Sequence, residues 1–594
     1  MPSKKKSVSS KKKSVSSKKK SSRQRVVVVT GGAAGIGAAI AEELGRAGSY
    51  VITLDPMVTV DGASRLTESG PTTADRIVEA GGSARASNAS VTDPAAVDSL
   101  FAGLVAEFGA LDAVVNVAGI TRPTRFATGT EDDWAAILSV HLEGYLNVLG
   151  AALPLMAEAG HGQILGVTSG SGWRAADTGA YGCAKRAVAA LTWQIGQATP
   201  PGVTVNALSP IALTRMVTGG TTPPQTGADE VARTGGVDLS AMPRPETLGP
   251  VGAYLASEQF SWCRGQVIFS GGAEVAWLRP PSLLEVCRTS GVRSVSHVLE
   301  AAMARAIVPA EAAQATNGGS NPRFARVFDE AVGGGVGSDS GSGSGSDSGR
   351  LQTCVVVTDD PAWGAVFGEA LEATGVSCLG IGPWAGSRSV AGEVAHDFEG
   401  AAGQIALAAK EAGPLDGVVV ALSGKADGST PGAEGTERTE PWRAILEEHA
   451  GVAEQIRTDA AWARAVSDYS ENADRPVRLV IVSAATTSGG RSRAQAAAQL
   501  ARAAHTGTSD RVDAFAISVE TAEDAERQTV TQLAAHLLGA PDASGLSGAE
   551  LVVAPGWFGL RSHPAPATSI SFGGPAVPEW LDGILRGVVT GSTD

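Results

Sequence analysis

The sequence predicts an α/β protein built from two tandem domains, each with a doubly wound parallel sheet. Short apolar runs alternate with helical patterns from residue 26 onward, which is typical of parallel strands covered by helices on both faces. A glycine-rich turn joins the first apolar run to the first helical pattern. After a Gly/Ser-rich stretch at 333–349, segments of the first half return in the same order.

Length and composition limit the kind of protein this is. The chain has 594 residues, 43% apolar and 18% charged, which is an ordinary globular composition and enough for two to four domains. No apolar run reaches the roughly 18 residues of a membrane-spanning helix, and no apolar segment follows the basic N-terminus as it would in a secretory signal. The five cysteines form no C-x-x-C pair, and the histidines do not cluster, so we expect no metal site. A cytoplasmic protein without membrane contact is expected.

The charge is distributed unevenly along the chain. Residues 1–25 hold nine lysines, two arginines and no acid, while the whole chain has a net charge of −14. The globular part is therefore strongly acidic, which argues against nucleic-acid binding by it. The basic tail has no apolar face, so we expect it to be disordered and to make at most non-specific contacts with polyanions.

In the first half, the predicted strands and helices alternate. The apolar runs predict strands at 26–30, 50–54, 84–87, 112–117, 163–168, 203–207 and 266–270. Helical patterns between them include 36–47, 94–108 and 180–198.

The turn after the first strand, residues 30–37 (TGGAAGIG), has the pattern of a phosphate-binding loop. Gly31 allows a tight turn, and Gly35 and Gly37 allow a pyrophosphate and the following helix to approach closely. The helix N-terminus offers free N–H groups and positive potential. Asp55 follows the next strand, where a carboxylate can accept hydrogen bonds from both ribose hydroxyls and repels a 2′-phosphate. This predicts NAD rather than NADP, with a simple turn residue as the alternative for Asp55.

A tyrosine and a lysine share one face of a later helix. Tyr181 and Lys185 are spaced i, i+4, and lysine is rare in this part of the chain, with only three after residue 25. The ammonium is expected to lower the phenol pKa, so that the tyrosine can exchange a proton near neutral pH. Ser169, at the end of a predicted strand, can hold a substrate oxygen beside this pair; Ser171 is a rival, and a loop serine without a chemical role is the alternative.

These motifs, together with Asn116-Val-Ala-Gly119 and Asn206-Ala-Leu-Ser-Pro210, make residues 26–275 resemble a short-chain dehydrogenase/reductase, a family with a Rossmann-like fold. Within the family, the long insert after Asp55 and the segments 118–126 and 140–144 most resemble the (3R)-hydroxyacyl-CoA dehydrogenase domains of multifunctional β-oxidation enzymes. Three positions depart from the family pattern. His141 stands where the family has Asn, Ser90 where it has Asp, and Ile211 where it has Gly.

The resemblance implies a set of functional positions. The catalytic set is Ser169, Tyr181, Lys185 and His141. At the position of His141, the family residue contributes a backbone carbonyl that holds a relay water. Residues 215–250 would form a mobile substrate lid, and Trp173 and Arg174 could contact an acyl group or only pack in their loop. The implied cofactor-binding residues are Gly31, Gly35, Ile36, Gly37, Asp55, Ser90, Val91, Asn116, Ala118, Gly119, Tyr181, Lys185, Pro210, Ile211 and Thr214.

The implied activity is NAD-dependent interconversion of a secondary alcohol and a ketone. The expected substrate is a 3-hydroxyacyl thioester or a hydroxysteroid-like molecule. A 3-oxoacyl-carrier-protein-type ketoreductase is an alternative, and a non-catalytic scaffold is an alternative of another class. The expected domains are the tail at 1–25, a catalytic NAD-binding domain at 26–290, a helical extension and linker at 291–350, and a degenerate second domain at 351–594.

The second half repeats the first without its chemistry. Residues 134–141 (WAAILSVH) match 442–449 (WRAILEEH), but the first turn of this half is Thr358-Asp-Asp, whose carboxylates would repel a pyrophosphate. No lysine follows Lys425, so a later Tyr–Lys pair is impossible. The small-residue helix expected at 493–505 could pack against 180–198. We therefore expect an intrachain pseudo-dimer and a homo-oligomer of such chains.

Overall fold

In the computed structural model, residues 23–289, 295–307 and 351–591 are described, apart from short gaps within these ranges. The gaps are 68–69, 175–176, 220–232, 235–236, 239–241, 304, 374, 385, 387 and 425–439. Most of the basic tail, the Gly/Ser linker and part of the expected lid lie outside the described residues.

The first sheet has nine strands, of which seven lie at the runs that the sequence predicts and two, at 274–279 and 565–571, are not predicted. Its order is β3-β2-β1-β4-β5-β6-β9-β10-β20, parallel from β3 to β9 and antiparallel at the last two strands. The strands are β1 Val26–Thr30, β2 Tyr50–Leu54, β3 Ser83–Ser87, β4 Ala113–Asn116, β5 Gly162–Val167, β6 Val203–Pro210, β9 Val267–Ser270, β10 Glu274–Arg279 and β20 Ala565–Ser571. Two short strands, β7 Arg233–Thr234 and β8 Val237–Asp238, pair separately.

The second sheet repeats this order strand for strand, as β14-β13-β12-β15-β16-β17-β18-β19-β11. Its strands are β11 Leu283–Arg288, β12 Thr353–Thr358, β13 Ser377–Ile381, β14 Ser389–Val390, β15 Gly417–Leu422, β16 Val477–Ala484, β17 Val512–Val519, β18 Glu550–Ala554 and β19 Trp557–Arg561. The reversal of strand order beside β1 and β12 is the topology of a doubly wound sheet, so the predicted fold class of two Rossmann-like domains is confirmed.

The two sheets exchange their edge strands. β11 belongs by sequence to the first half but pairs antiparallel with β19 of the second sheet, and β20 of the second half pairs with β10 of the first sheet. The division expected at residue 290 therefore does not describe the strand pairing, because 283–288 lies in the second sheet. The sequence pattern could not show this, since an edge strand has the same apolar alternation whichever sheet it joins.

Helices cover both faces of each sheet. In the first half these are α1 Gly35–Arg46, α2 Thr73–Glu79, α3 Pro94–Phe108, α4 Glu131–Leu138, α5 Gly144–Ala159, α6 Gly179–Ala198, α7 Arg215–Gly219, α8 Gly249–Leu255 and α9 Val295–Val298. In the second half they are α10 Pro361–Ala373, α11 Phe398–Ala412, α12 Pro441–Glu448, α13 Val452–Asn472, α14 Ser488–Gly507, α15 Asp524–Gly539 and α16 Trp580–Thr590.

Helices α6 and α14 join the two domains. They run antiparallel and in close contact, since Gly182 lies against Gln499 and Gln194 reaches Ser488. Both helices are rich in alanine and glycine, whose small side chains allow this approach. One apolar cluster continues through this helix layer from the first sheet into the second.

The last helix, α16, comes from the second half of the chain but packs on the first sheet. Leu581 and Leu585 are fully buried and belong to the apolar cluster that also contains residues of β1, α1 and α8. Asp582 accepts hydrogen bonds from the Tyr254 hydroxyl and the Trp262 indole, each at 2.8 Å. The C-terminal segment is therefore part of the first domain's core.

By length and composition alone, the continuous helical stretch 131–159 could cross a membrane. Its apolar residues are packed in the shared core, where Trp134, Tyr145 and Met156 are buried.

Replacing Leu585 with alanine should destabilise the first domain, because it leaves a cavity between α16 and the sheet. We expect a loss of about 2–5 kcal/mol in the free energy of unfolding. The matched control is Ile584→Ala, whose side chain is 47% exposed and should cost about 0.5 kcal/mol or less. Thermal unfolding followed by circular dichroism measures both variants. Equal effects of the two substitutions would contradict the packing of α16 on the first domain.

Candidate active site

The turn between β1 and α1 is built from close backbone approaches. Gly31 has a φ of +63°, and a Cβ at this position would lie 2.9 Å from the Cα of Ala118. A Cβ at Gly37 would lie 2.2 Å from the Gly31 carbonyl oxygen. These two positions accept only glycine, so the turn brings the N-terminus of α1 against the ends of β1 and β4.

The N-terminus of α1 is open to an anion. Its N-cap residue is Ala34, whose side chain has no acceptor for the free N–H groups of the first turn. Asp55 follows β2 and faces this turn: its carboxylate accepts from the Ala33 N–H at 3.2 Å and from the Met57 N–H at 2.9 Å. The carboxylate therefore stands beside the phosphate-binding loop, where the sequence expects a ribose.

The Thr30 hydroxyl, which the sequence analysis did not identify as functional, connects the loop to the sheet. Thr30 donates to the Asn116 side-chain oxygen at 2.7 Å and accepts from the Ala118 N–H at 3.1 Å. Both groups are buried. Asn116 thus holds the ends of β1 and β4 together. The sequence indicates this contact only through Thr30, the residue that opens the glycine motif.

Ser169 and Tyr181 meet at the carboxyl end of β5. The Ser169 hydroxyl lies near enough to the Tyr181 phenol to favour its charged form. Burial raises the phenol pKa above its usual value of 10, and Ser169 and the charge of Arg174 oppose this only in part. The phenol pKa is thus raised in the protein alone, where the sequence predicts a lowered one, because desolvation of the phenolate outweighs the groups that oppose it. Ser171 is buried in a 3-10 turn and hydrogen-bonded to Arg174.

Lys185 lies on the same face of α6 as Tyr181. Its ammonium nitrogen is 5.7 Å from the Tyr181 ring centre and donates to the Val167 carbonyl at 2.7 Å. The side chain is only 4% exposed, and burial lowers its pKa to about 7. The Lys185 carbonyl accepts from Thr168 at 2.6 Å, which anchors α6 to the end of β5.

His141 lies in a π-helical turn, Ser139–Glu143, between α4 and α5. Its ring stands edge-on to the Tyr181 ring, with 5.1 Å between ring centres. The Nε2 atom is 2.8 Å from the Ile120 carbonyl oxygen, so we assign it as the donor. Burial and the charge of Lys185 hold the His141 pKa well below 6.5. The imidazole is therefore neutral and supports the tyrosine ring sterically.

The remaining predicted cofactor residues line the same edge of the sheet. Thr214 is the nearest neighbour of Gly35, with 3.7 Å from its methyl group to a Cβ built there. The Ser90 hydroxyl pairs with Thr92 in a turn before α3, and the Val91 carbonyl accepts from Asn147 at 2.8 Å. Ile36 lies in the first turn of α1, and Gly119, Pro210 and Ile211 lie at or just after the ends of β4 and β6.

For the loop after Ser169, the sequence leaves acyl contact and loop packing open as alternatives. Trp173 is fully buried in a core cluster, so it is packing rather than an acyl contact. Arg174 faces Tyr181, and burial lowers its pKa to about 10. Its carbonyl accepts from the Gln499 amide of α14 at 3.1 Å. A side chain of the second domain thus holds a wall of the site, which no sequence motif signals.

The corresponding turn of the second domain is filled by its own side chains. Asp360 caps α10 by accepting from the Ala362 N–H at 2.9 Å, and it pairs with Arg527 at 3.1 Å. Asp359 accepts from the Ser423 N–H and hydroxyl, both at 2.7 Å. Carboxylates of the protein itself therefore bind backbone N–H groups in this turn, whereas the corresponding turn of the first domain leaves its N–H groups open to an anion.

The pair of Tyr181 and Lys185 has no counterpart on α14. Counted from the first residue of each twenty-residue helix, Tyr181 corresponds to Gly490, Lys185 to Ala494 and Arg186 to Gln495. No side chain in these first two positions can exchange a proton.

Comparison with known proteins agrees with this geometry. The sequence profile described as short chain dehydrogenase matches residues 25–222. Short-chain reductase protein NovJ of Streptomyces niveus is 36% identical over 32% of this chain and 69% of its own length. Hydroxyacyl-CoA dehydrogenase ChsB1 of Mycobacterium tuberculosis is 32% identical over 44% of this chain and 81% of its own. The peroxisomal hydratase-dehydrogenase-epimerase of Neurospora crassa is 29% identical over 43% of this chain, which spans only 27% of that enzyme.

A solved structure matches both domains. The N-domain of a bacterial malonyl-CoA reductase, solved with NADP, superposes over 89% of this chain and 97% of its own with a TM-score of 0.58. At 17% identity this likeness concerns the fold alone, and it shows that the tandem arrangement occurs in another protein.

The chain belongs to the short-chain dehydrogenase family. It is an oxidoreductase that acts on CH–OH groups with a nicotinamide cofactor, and its relatives include a hydroxyacyl-CoA dehydrogenase.

Lys185→Met should stabilise the cofactor-free protein at neutral pH. The buried lysine has a pKa of about 7 in the fold and 10.5 as its ordinary value, so the unfolded chain binds the proton more tightly. Stability of the wild-type fold therefore rises as pH increases from about 7 to 10.5, and is lower below this window.

Thermal unfolding between pH 7 and pH 10 measures this effect. The difference in midpoint between Lys185→Met and wild type should shrink steadily as pH rises. Exposed Lys410→Met is the control and should show no such trend. A pH-independent difference for Lys185→Met would contradict the depressed pKa.

Proposed function

We propose that the first domain interconverts a secondary alcohol and a ketone with NAD, on a 3-hydroxyacyl thioester. The observation that carries this proposal is the meeting of Ser169, Tyr181 and Lys185 beside the open N-terminus of α1. Three groups that can hold an oxygen, exchange its proton and provide charge thus stand next to a loop shaped for a pyrophosphate.

In this reaction a bound nicotinamide supplies the hydride acceptor or donor. The Ser169 hydroxyl orients the substrate oxygen, and the Tyr181 phenol exchanges its proton. The Lys185 nitrogen lies 5.7 Å from the centre of the Tyr181 ring, and as an ammonium it stabilises the phenolate that forms during alcohol oxidation. Because burial raises the Tyr181 pKa, the phenol is protonated near neutral pH and is ready to donate to a ketone. Alcohol oxidation, which needs the phenolate, should accelerate as pH rises above neutral.

Asp55 supports NAD rather than NADP. Its carboxylate points to the phosphate-binding turn, where it bonds the Ala33 N–H. A 2′-phosphate on the neighbouring ribose would face this negative charge, whereas two free hydroxyls would donate to it.

Two relatives support the proposed substrate class. One is named as a hydroxyacyl-CoA dehydrogenase and the other as a hydratase-dehydrogenase-epimerase. Oxidation assays with 3-hydroxyacyl-CoAs and with hydroxysteroids would decide between the two expected substrates. A 3-oxoacyl-carrier-protein ketoreductase would instead prefer a protein-bound thioester.

The second domain has, in this proposal, no catalytic site of its own and serves as the internal partner of the first in a pseudo-dimer. The Asp360 cap and the Asp359 contacts fill its turn, and α14 lacks the Tyr–Lys pair. Assembly of several chains and a cytoplasmic location belong to the same proposal.

Tyr181→Phe should reduce the rate of alcohol oxidation by several orders of magnitude, because it removes the exchangeable proton and little volume. NADH binding, followed by quenching of its fluorescence, should be nearly unchanged. The matched control is Tyr145→Phe, a fully buried tyrosine of α5 that should retain activity. Near wild-type kcat in Tyr181→Phe would refute the assignment.

Asp55→Ala should shift the preference toward NADP, since it removes the charge that repels a 2′-phosphate. The ratio of kcat/KM with NAD to that with NADP should fall at least about tenfold, equivalent to roughly 1.4 kcal/mol. The control is Asp98→Ala, an exposed acid on α3, which should leave the ratio unchanged. An unaltered ratio in Asp55→Ala would make this residue part of the turn only.

Calorimetric titration with NADH should give one binding site per chain. Asp360→Ala should not create a second site, because Asp359 still places a carboxylate in the turn. Two equivalent sites in the wild-type chain would contradict a non-catalytic second domain.

A further inference from the structure

The residue after the catalytic lysine faces the second domain. Arg186 is fully buried, and its backbone is in contact with the serine loop: a Cβ on Gly172 would lie 2.9 Å from the Arg186 nitrogen. The same turn of α6 is held to β5 by the hydrogen bond from Thr168 to the Lys185 carbonyl. A movement of the helix at Arg186 would therefore displace both Lys185 and the loop that carries Ser169.

The guanidinium of Arg186 is bound by three groups of the second half. Its Nε donates to the Gln495 side-chain oxygen at 3.0 Å, and a terminal nitrogen lies 3.7 Å from Glu550. The other terminal nitrogen is 2.9 Å from Nδ1 of His563. Because an arginine can only donate, His563 accepts through Nδ1 and is neutral at that nitrogen.

Glu550 is the centre of this network. It is fully buried and accepts from the Gln495 amide at 2.7 Å and from Arg561 at 2.8 Å, while Arg561 also binds Glu520 at 2.9 Å. Two arginines thus face two glutamates, and the formal charges cancel. The three second-domain partners of Arg186 come from α14, the start of β18 and the crossing segment before β20.

Stability alone is a weak explanation for this arrangement. Buried ion pairs are often replaced by well-packed apolar residues without loss of stability, because the desolvation of both charges offsets their attraction. The alanine-rich surroundings on α6 and α14 show that apolar packing is available here. A charged network instead fixes direction, since its hydrogen bonds tolerate little rotation of the helix.

We propose that Glu550 of the second domain is a positioning residue for the reaction, which holds α6 through Gln495 and Arg186 so that Lys185 and Tyr181 face Ser169. This role rests on the proposed function of the first domain. This positioning role gives the second domain a specific part in catalysis, although that domain contributes no group that touches the substrate.

Glu550→Gln tests the proposal in the full-length chain. The variant removes the charge and turns an amide donor toward an arginine. We expect kcat for 3-hydroxyacyl-CoA oxidation to fall by about tenfold or more, as small displacements of catalytic groups do. The dissociation constant of NADH should change less than about twofold, and the pH at which kcat is half-maximal should shift, because the environment of the Tyr–Lys pair changes.

The matched control is Asp459→Asn. Asp459 forms an equally buried ion pair with Arg493, which is on α14 but two residues from Gln495 and so points away from α6. This variant should lower the thermal midpoint at least as much as Glu550→Gln and keep kcat and its pH profile. If Glu550→Gln folds poorly, Gln495→Met removes the amide bridge at similar volume and should show the same loss of kcat.

Wild-type kcat and pH profile in Glu550→Gln or in a folded Gln495→Met would overturn the proposal, as would an equal loss of kcat in Asp459→Asn. If the wild-type chain oxidises no alcohol, the proposed function fails, and hydrogen exchange then tests the positioning alone. Faster amide exchange of residues 179–198 in Glu550→Gln but not in Asp459→Asn would support it, and unchanged exchange would overturn it.

Discussion

The close antiparallel packing of α6 on α14 is the constraint on which the rest of the structure depends. Small side chains on both helices allow their backbones to approach, and the apolar layer between the sheets continues through them. Tyr181 and Lys185, the proposed catalytic pair, are on one of these helices, so the geometry of the candidate site is tied to the second domain. The exchanged strands β11 and β20 fix the same relation at the edges of the two sheets.

The two domains keep one topology and differ in the groups that chemistry needs. In the first, glycines and Ala34 leave the N-terminus of α1 open, whereas Asp360 closes the corresponding helix in the second. The same helix that bears Tyr181 and Lys185 in one domain bears Gly490 and Ala494 in the other. The second domain thus has a helix that packs on α6, and in our proposal it has no catalytic site of its own.

Much of the first domain could be predicted because its signals are local. The strands at 26–30 and 50–54 are continuous apolar runs. The glycine turn and the Tyr–Lys pair are each short motifs that span only a few residues. The exchanged strands could not be predicted, because the pattern of 283–288 does not say which edge it joins. Contacts such as Gln499 with Arg174 or Glu550 with Arg186 join residues more than 300 positions apart, and the direction of the Tyr181 pKa depends on burial that only the fold reveals.

Differential scanning calorimetry of the full chain, with and without NADH, tests the mutual dependence of the two domains most directly. If the helix pair and the exchanged strands make one cooperative unit, a single transition is expected, with the calorimetric enthalpy equal to the van't Hoff enthalpy. NADH bound in the first domain should then move the whole transition to higher temperature. Two separate transitions, of which NADH shifts only one, would contradict this account.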